Sequence, residues 1–203
     1  MEYDGVSNIC YLDFSKGKIE SSVKSQINSL KPAIPTHVVR LENVDRAAKW
    51  FLNNFNGKVL YSVKSNPEEK VLLQLHKSGV EDFDIASLNE IKLISRILPQ
   101  AKMYFMHPIK SREAIFEAYF NYGIRDFSLD SHDELDKILA ETNNAKDLSL
   151  HIRLSIPNSH AAIELSSKFG ILPSDSVSLI RKARISAKTL GICFHVGSQC
   201  MEP

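Results

Sequence analysis

Lys64 follows the strand-like run Lys58-Val59-Leu60-Tyr61-Ser62-Val63 and opens a polar turn, Ser65-Asn66-Pro67. A strand that delivers an amine into such a turn aims it at the end of a sheet, where many folds assemble their active sites. A desolvated lysine is the side chain best suited to form a Schiff base with a carbonyl compound. A lone lysine at a strand end is more often a snorkelling surface residue. Three further segments place reactive side chains at the ends of strand-like runs. They are Phe83-Asp84-Ile85-Ala86-Ser87-Leu88-Asn89-Glu90-Ile91, Ile152-Arg153-Leu154 with Ser167-Lys168-Phe169-Gly170 beyond it, and Phe194-His195-Val196-Gly197-Ser198-Gln199-Cys200. An arginine inside Leu150-His151-Ile152-Arg153-Leu154 needs an anionic or acceptor partner, because leaving it unpaired is costly; Asp84 is a candidate for that ion pair. A strand histidine taken alone is usually a hydrogen-bonded structural residue. Ser87-x-x-Glu90 has capping-box spacing, which explains Glu90 as fully as a catalytic role would. Cys193 and His195 share a strand face, but no fourth ligand is evident and no metal is expected.

These side chains are positioned by a repeating theme that begins near Thr36: a β-branched or aromatic run, a polar turn, then an amphipathic segment. The patterns predict strands at His37–Leu41, Val59–Val63, Asp82–Ala86, Lys102–Met106, Asp126–Leu129, Leu148–Leu154 and Gly191–Val196. Such alternation is expected of a parallel βα array. Asn43 is placed to cap a helix whose Val44, Ala47, Ala48, Phe51, Leu52 and Phe55 form one apolar stripe. Pro67 with Glu68 and Glu69 suits a first helical turn, and Gly79 suits its stop. Ser131 and Glu134 have capping-box spacing, and a last long helix is expected from Pro173 to about Thr189. Residues 1–30 are polar and weakly patterned, with room for a short strand around Ile9–Phe14 that the pattern does not decide, and are set apart from a domain over 31–203. The loop 157–167 is long and polar, with a short apolar stretch.

With 43% hydrophobic residues over 203 positions, the chain can bury a sizeable core. Its 25 basic and 24 acidic residues nearly cancel without a basic cluster, which argues against nucleic acid or an anionic membrane surface as partner. Cysteines at 10, 193 and 200 form no disulfide framework. Neither a secretory signal nor a membrane-spanning run is visible, so a cytoplasmic location is expected.

In order along the chain from about Thr36, the four segments resemble the ornithine decarboxylase-like branch of the pyridoxal-phosphate decarboxylases, with an alanine-racemase-type barrel. The resemblance implies an α/β fold, a TIM-type (β/α)8 barrel, of which about seven of eight strands would be present. The last barrel strand with its glycine-rich phosphate loop, the acidic residue facing the pyridine nitrogen and the C-terminal β-domain would be absent. A chain that stops there is expected to be the N-terminal half of the enzyme and a poor monomer on its own. The implied cofactor is pyridoxal 5'-phosphate, with Lys64 as its Schiff-base lysine and His195 stacked on its ring. Ser198 would bond the phosphate, with Gly197 allowing close backbone approach, and Arg153 would lie near the ring. Asp84 would sit close to both lysine and ring, favouring protonated Lys64 and orienting Arg153. Glu90 stays open between capping and the site.

Two departures from the family pattern stand out. Ser62 and Ser65 replace the small residues that flank the lysine, an exchange that should leave its geometry intact. His107-Pro108-Ile109-Lys110 stands where many members have Asn-Pro-x-Lys, which changes the floor of the site. The activity implied is decarboxylation of a basic amino acid, most like L-ornithine to putrescine in polyamine synthesis. Lysine, diaminopimelate or arginine are alternative substrates, and racemisation is a weaker reading. The implied partners are a second copy of the full-length protein or a separately encoded C-terminal half. A different class of reading is a catalytically inactive fragment, or a regulatory homologue that pairs with a complete enzyme.

Overall fold

The computed structural model describes residues 33–157, 161–163 and 165–200, with short pieces at 2–3, 9–12, 28 and 31. Most of the segment 1–30 therefore lies outside the described residues, as do residues 158–160 and 164 of the loop after Pro157. The chain divides into two compact units, 1–59 with 66–81, and 60–65 with 82–203.

In the first unit, β1 (Glu2–Tyr3) runs antiparallel to β2 (Ile9–Leu12), which runs parallel to β3 (His37–Arg40). A short strand does form near Ile9, where the sequence pattern left the matter open, and it pairs with the strand expected at His37. Helix α1 (Leu41–Asn54) follows β3 without a linker, so Arg40 is its N-cap. Asn43 therefore lies inside the first turn, where its side-chain oxygen accepts from Arg46 at 3.2 Å instead of capping. Of the expected apolar stripe Ala48 is buried, whereas Phe51 and Phe55 are exposed. Helix α2 (Glu69–Lys77) is tied to α1 by the Ser78 hydroxyl, which donates to Asp45 at 2.7 Å. Gly79, at φ +106°, adopts the left-handed conformation that ends α2, as expected of glycine there.

The second unit carries one parallel six-stranded sheet in the order β10-β8-β7-β6-β5-β4. Its strands are β4 (Leu60–Ser62), β5 (Asp82–Ile85), β6 (Lys102–Phe105), β7 (Asp126–Leu129), β8 (Leu148–Arg153) and β10 (Ala187–Cys193). Between them run α3 (Leu88–Ile97), α4 (Arg112–Phe120), α5 (His132–Glu141) and α6 (Pro173–Ser186). β9 (Ala161–Ile163) lies in the loop after β8 and pairs antiparallel with β11 (Ser198–Cys200). This is an α/β fold with a parallel sheet, as expected; of the seven strands read from the sequence six lie in this sheet, the last shifted to Ala187–Cys193, whereas the one at His37 pairs with β2 in the first unit.

The period-2 alternation of the strands assigns their faces. Ile85, Phe105, Phe127 and Leu150 stand side by side in register on one face, each essentially fully buried. Ile91, Ile94, Ile115, Leu135, Ile138 and Leu179 supply the buried helical side of this core. The opposite face carries Ser62, Asp84 and Tyr104 in one row, and Ser128, His151 and Gly191 in another. Because the strands are parallel, their C-terminal ends and the loops that follow share one edge. The last helix stops at Ser186, three residues short of Thr189. Strand pairing of Ala187 and Thr189 with Leu148 and Ser149 overrides helical continuation there.

Caps and glycines define the loops at that edge. Ser87, Ser111 and Ser131 each accept the N–H three residues on, at 3.2–3.3 Å. Gly170, at φ +99°, lies so close to β8 that a Cβ there would stand 2.5 Å from the Ser155 nitrogen. Lys110, buried in the turn after β6, donates to the His107 and Ser128 carbonyls and pairs with Glu134 at 3.0 Å. Burial pushes its pKa down to about 8, although Glu134 pulls the other way. No helix among the described residues is long and apolar enough to cross a membrane.

Two outcomes are expected. Gly170→Ala should destabilise by roughly 1–3 kcal/mol, since it combines left-handed strain with a backbone collision, as measured by urea unfolding. Between about pH 8 and the ordinary lysine value near 10.4, the unfolded chain binds the Lys110 proton more tightly than the folded one. Stability should therefore rise with pH across that window, by about 3 kcal/mol at most. Lys110→Met, compared with the wild type by urea unfolding at both ends of the window, should lack this increment.

Candidate active site

Fully buried Val63 anchors the single 3-10 turn Val63–Ser65 that follows β4, and Lys64 projects from it. Its side chain meets a cavity of about 330 Å3 at the C-terminal edge of the sheet, shared with Asp84, His107, Arg153, Cys193 and His195. Four of the five side chains read from the sequence as site residues thus converge from β4, β5, β8 and the segment after β10. Lys64 is exposed, so the described residues do not desolvate its amine.

Asp84 sits between the fully buried Phe83 and Ile85 and opposite Ser62 in the parallel register. Burial raises its carboxyl above the usual aspartate range; the Ser62 hydroxyl and the Lys64 and Arg153 charges oppose this, while Glu90 adds to it. The anticipated Asp84–Arg153 ion pair is not formed among the described residues. Asp84 on β5 and Arg153 on β8 are three strand positions apart and border the same cavity without meeting. The Arg153 guanidinium instead lies 5.1 Å from the Phe169 ring centroid. Its charge reaches Asp84 only through space.

His195 lies two residues beyond the end of β10, not within a strand as expected. Its Nδ1 accepts the Gly197 N–H at 2.8 Å, which leaves the proton of the neutral ring on Nε2. Partial burial and the positive charges of Arg153 and Lys64 hold its pKa below the ordinary histidine range, with Asp84 opposing. Gly197, at φ +92°, is required: a Cβ would stand 2.4 Å from that of Ala161. Ser198 is placed in β11 opposite Ile163 and does not line the cavity. Glu90 is consumed locally. Its Oε2 accepts the Ala86 N–H at 2.8 Å and its Oε1 the Ser87 hydroxyl at 3.2 Å, so it acts as a cap whose charge is felt by Asp84.

Cys193 lines the cavity although no motif assigned it to the site, and His107, expected at the floor of the site, borders the cavity. Cys193 pairs in register with Arg153, so the strand alternation carried its signal. Burial raises its thiol pKa, and its Sγ lies 3.4 Å from the Ser128 hydroxyl. A larger cavity of about 580 Å3 at the start of α5 holds none of the four converging residues. Its Lys137 and Arg112 are already paired with Glu134 and Glu141.

The donor set suits an anionic aldehyde. A primary amine, an arginine with no carboxylate partner among the described residues, a flat imidazole and a half-buried carboxylate border a cavity of small-molecule size, about 300 Å3 or more. Pyridoxal phosphate has the carbonyl, ring and anionic group to match.

Comparison with known proteins agrees. Residues 41–203 match the family model for the pyridoxal-dependent decarboxylase, pyridoxal binding domain. The chain is 28% identical over 183 residues to a lysine/ornithine decarboxylase of Selenomonas ruminantium, covering 88% of this chain and 45% of that protein. It is 36% identical over 145 residues to the ornithine decarboxylase of Panagrellus redivivus, covering 70% and 32%. The crystal structure of the Selenomonas ruminantium lysine decarboxylase superposes with a TM-score of 0.75 at 27% identity, covering 91% of this chain and 48% of that one. The chain thus spans less than half the length of these relatives. It belongs to the pyridoxal-dependent decarboxylases, through their pyridoxal binding domain.

Proposed function

We propose that this chain provides the lysine-bearing part of a pyridoxal-phosphate-dependent decarboxylase for a basic amino acid, with L-ornithine, converted to putrescine in polyamine synthesis, as the favoured substrate. The observation that carries this reading is the convergence of Lys64, Asp84, Arg153 and His195 on one cavity at the C-terminal edge of a parallel sheet. Lysine, diaminopimelate and arginine remain alternatives within the same chemistry. The proposed partner is a second copy of the full-length protein or a separate C-terminal half.

When bound, the cofactor supplies an electron sink for the pair left behind as the substrate carboxylate departs as CO2. The residues of this chain would bind and orient it. Lys64 Nζ would hold the cofactor through its carbonyl carbon. The His195 ring would lie against the pyridine face and limit its tilt. Asp84 would favour the protonated amine at Lys64, and Arg153 would offer the cavity its positive charge. Ser198, in β11, would bond the phosphate if that group extends past the His195 segment. Lys64 Nζ and His195 Nε2 are two N–H groups on the cavity that would be able to return a proton to carbon.

Two tests follow from these roles. Incubation with pyridoxal phosphate and reduction with borohydride should label Lys64, and Lys64→Ala should lose the label. Equal labelling of Lys58 or Lys70 by peptide mapping would refute the assignment, and no label at all would favour a non-catalytic homologue. His195→Ala should lower kcat for CO2 release with little loss of cofactor affinity. Ser198→Ala should weaken cofactor binding by about 10- to 150-fold, the effect of a lost charge-assisted hydrogen bond, with turnover restored at saturating cofactor. Full recovery of His195→Ala at high cofactor would reduce His195 to a structural residue.

A further inference from the structure

His107 faces the cavity, yet the roles above leave it unused. Its Nδ1 accepts the Ile109 N–H at 3.1 Å, the closure that a turn asparagine makes with the residue two positions on. In the neutral ring the proton is then on Nε2. The turn is held from beneath by Lys110, whose buried amine donates to the His107 carbonyl at 2.9 Å and pairs with Glu134. Clamped at both its backbone and its Nδ1, the imidazole has little freedom to swing.

The clamped ring stands edge-on to Phe169, with centroids 5.5 Å apart and planes at 80°. The same Phe169 ring carries the Arg153 guanidinium, 5.1 Å from its centroid. Among the described residues Arg153 has no carboxylate within ion-pair distance, so the Phe169 face is the contact that orients its charge. Burial and the nearby charges of Lys110, Lys64 and Arg153 hold His107 below the ordinary histidine pKa. At neutral pH the ring is therefore uncharged and does not repel Arg153.

We propose that His107 is a positioning residue of this cavity: its imidazole props Phe169, and Phe169 in turn holds the Arg153 guanidinium where an anionic group of a bound ligand meets it. This relay rests on the cofactor reading only for the identity of that ligand. Two roles are separable at His107. Asparagine keeps the turn acceptor and discards the ring; phenylalanine keeps the ring and discards the acceptor.

The test follows the Arg153 Nε–H signal by NMR in the ligand-free chain, and pyridoxal phosphate affinity by fluorescence quenching, in His107→Asn and His107→Phe. His107→Phe should keep the wild-type signal and affinity. His107→Asn should shift the signal and weaken affinity by about two- to fivefold, the effect of an exposed cation–π contact. Phe169→Leu, which leaves the turn intact, should shift the signal to the same position, and the double variant His107→Asn/Phe169→Leu should move it no further. It also keeps the proposal testable should a His107 variant fail to fold, as judged by thermal melting. An unshifted Arg153 signal in both His107→Asn and Phe169→Leu overturns the relay, as does an equal shift in His107→Phe. If the signal shifts as expected but the wild type binds no pyridoxal phosphate, the relay stands and the cofactor reading falls.

Discussion

Ile85, Phe105, Phe127 and Leu150 form a row across four parallel strands, and the position of every reactive side chain depends on that register. Each contributes about 1.5–3 kcal/mol by leaving water. A slip of one residue in any strand would turn its apolar set to the wrong face. The same alternation that buries Phe83 and Ile85 places Asp84 on the polar face. The same alternation that buries Ile152 presents Arg153 on that face beside Cys193. Register and chemistry are one constraint.

The second organising feature is the buried cluster of Lys110, Glu134 and Lys137. Taking such charges out of water is expensive, and hydrophobic replacements of similar volume are often no worse for stability. What the cluster contributes is connection. Lys110 joins the turn after β6 to the end of β7, and Glu134 brings in the first turn of α5 by accepting the Lys110 N–H at 3.2 Å. The turn after β6, the end of β7 and the start of α5 are thereby tied to one lysine. Depression of its pKa to about 8 records how far burial outweighs the partner carboxylate.

Around the cavity itself, positive charge is distributed unevenly. Burial first, then the charges of Lys64 and Arg153, push His107 and His195 toward their neutral forms. Both imidazoles use Nδ1 to accept a backbone N–H two residues on, so both keep a proton on Nε2. The cavity thus combines two fixed cations with two neutral donors, and burial pulls Asp84 toward its protonated form. Such an environment suits an anionic, hydrogen-bond-accepting ligand.

Much of this was legible in the residues alone. The strands and the caps at Ser87, Gly79 and Ser131 rest on local alternation and local hydrogen bonds, which the chain specifies over a few positions. Lys64, Asp84, Arg153 and His195 were recognisable through four ordered motifs that resemble a known family, since each residue taken alone has a structural reading; parallel strands bring them together. The Asp84–Arg153 pair did not form because β6 and β7 stand between β5 and β8, so the two side chains border one cavity without meeting. Asn43 lost its capping role because β3 runs directly into α1. His107, Cys193 and the Phe169–Arg153 contact belong to the fold. They depend on packing between separate segments, such as His107 against Phe169, which local pattern does not place. Short-range spacing determined which residues could react; only the tertiary arrangement decided which of them meet, because distance across a sheet depends on strand order and not on sequence separation.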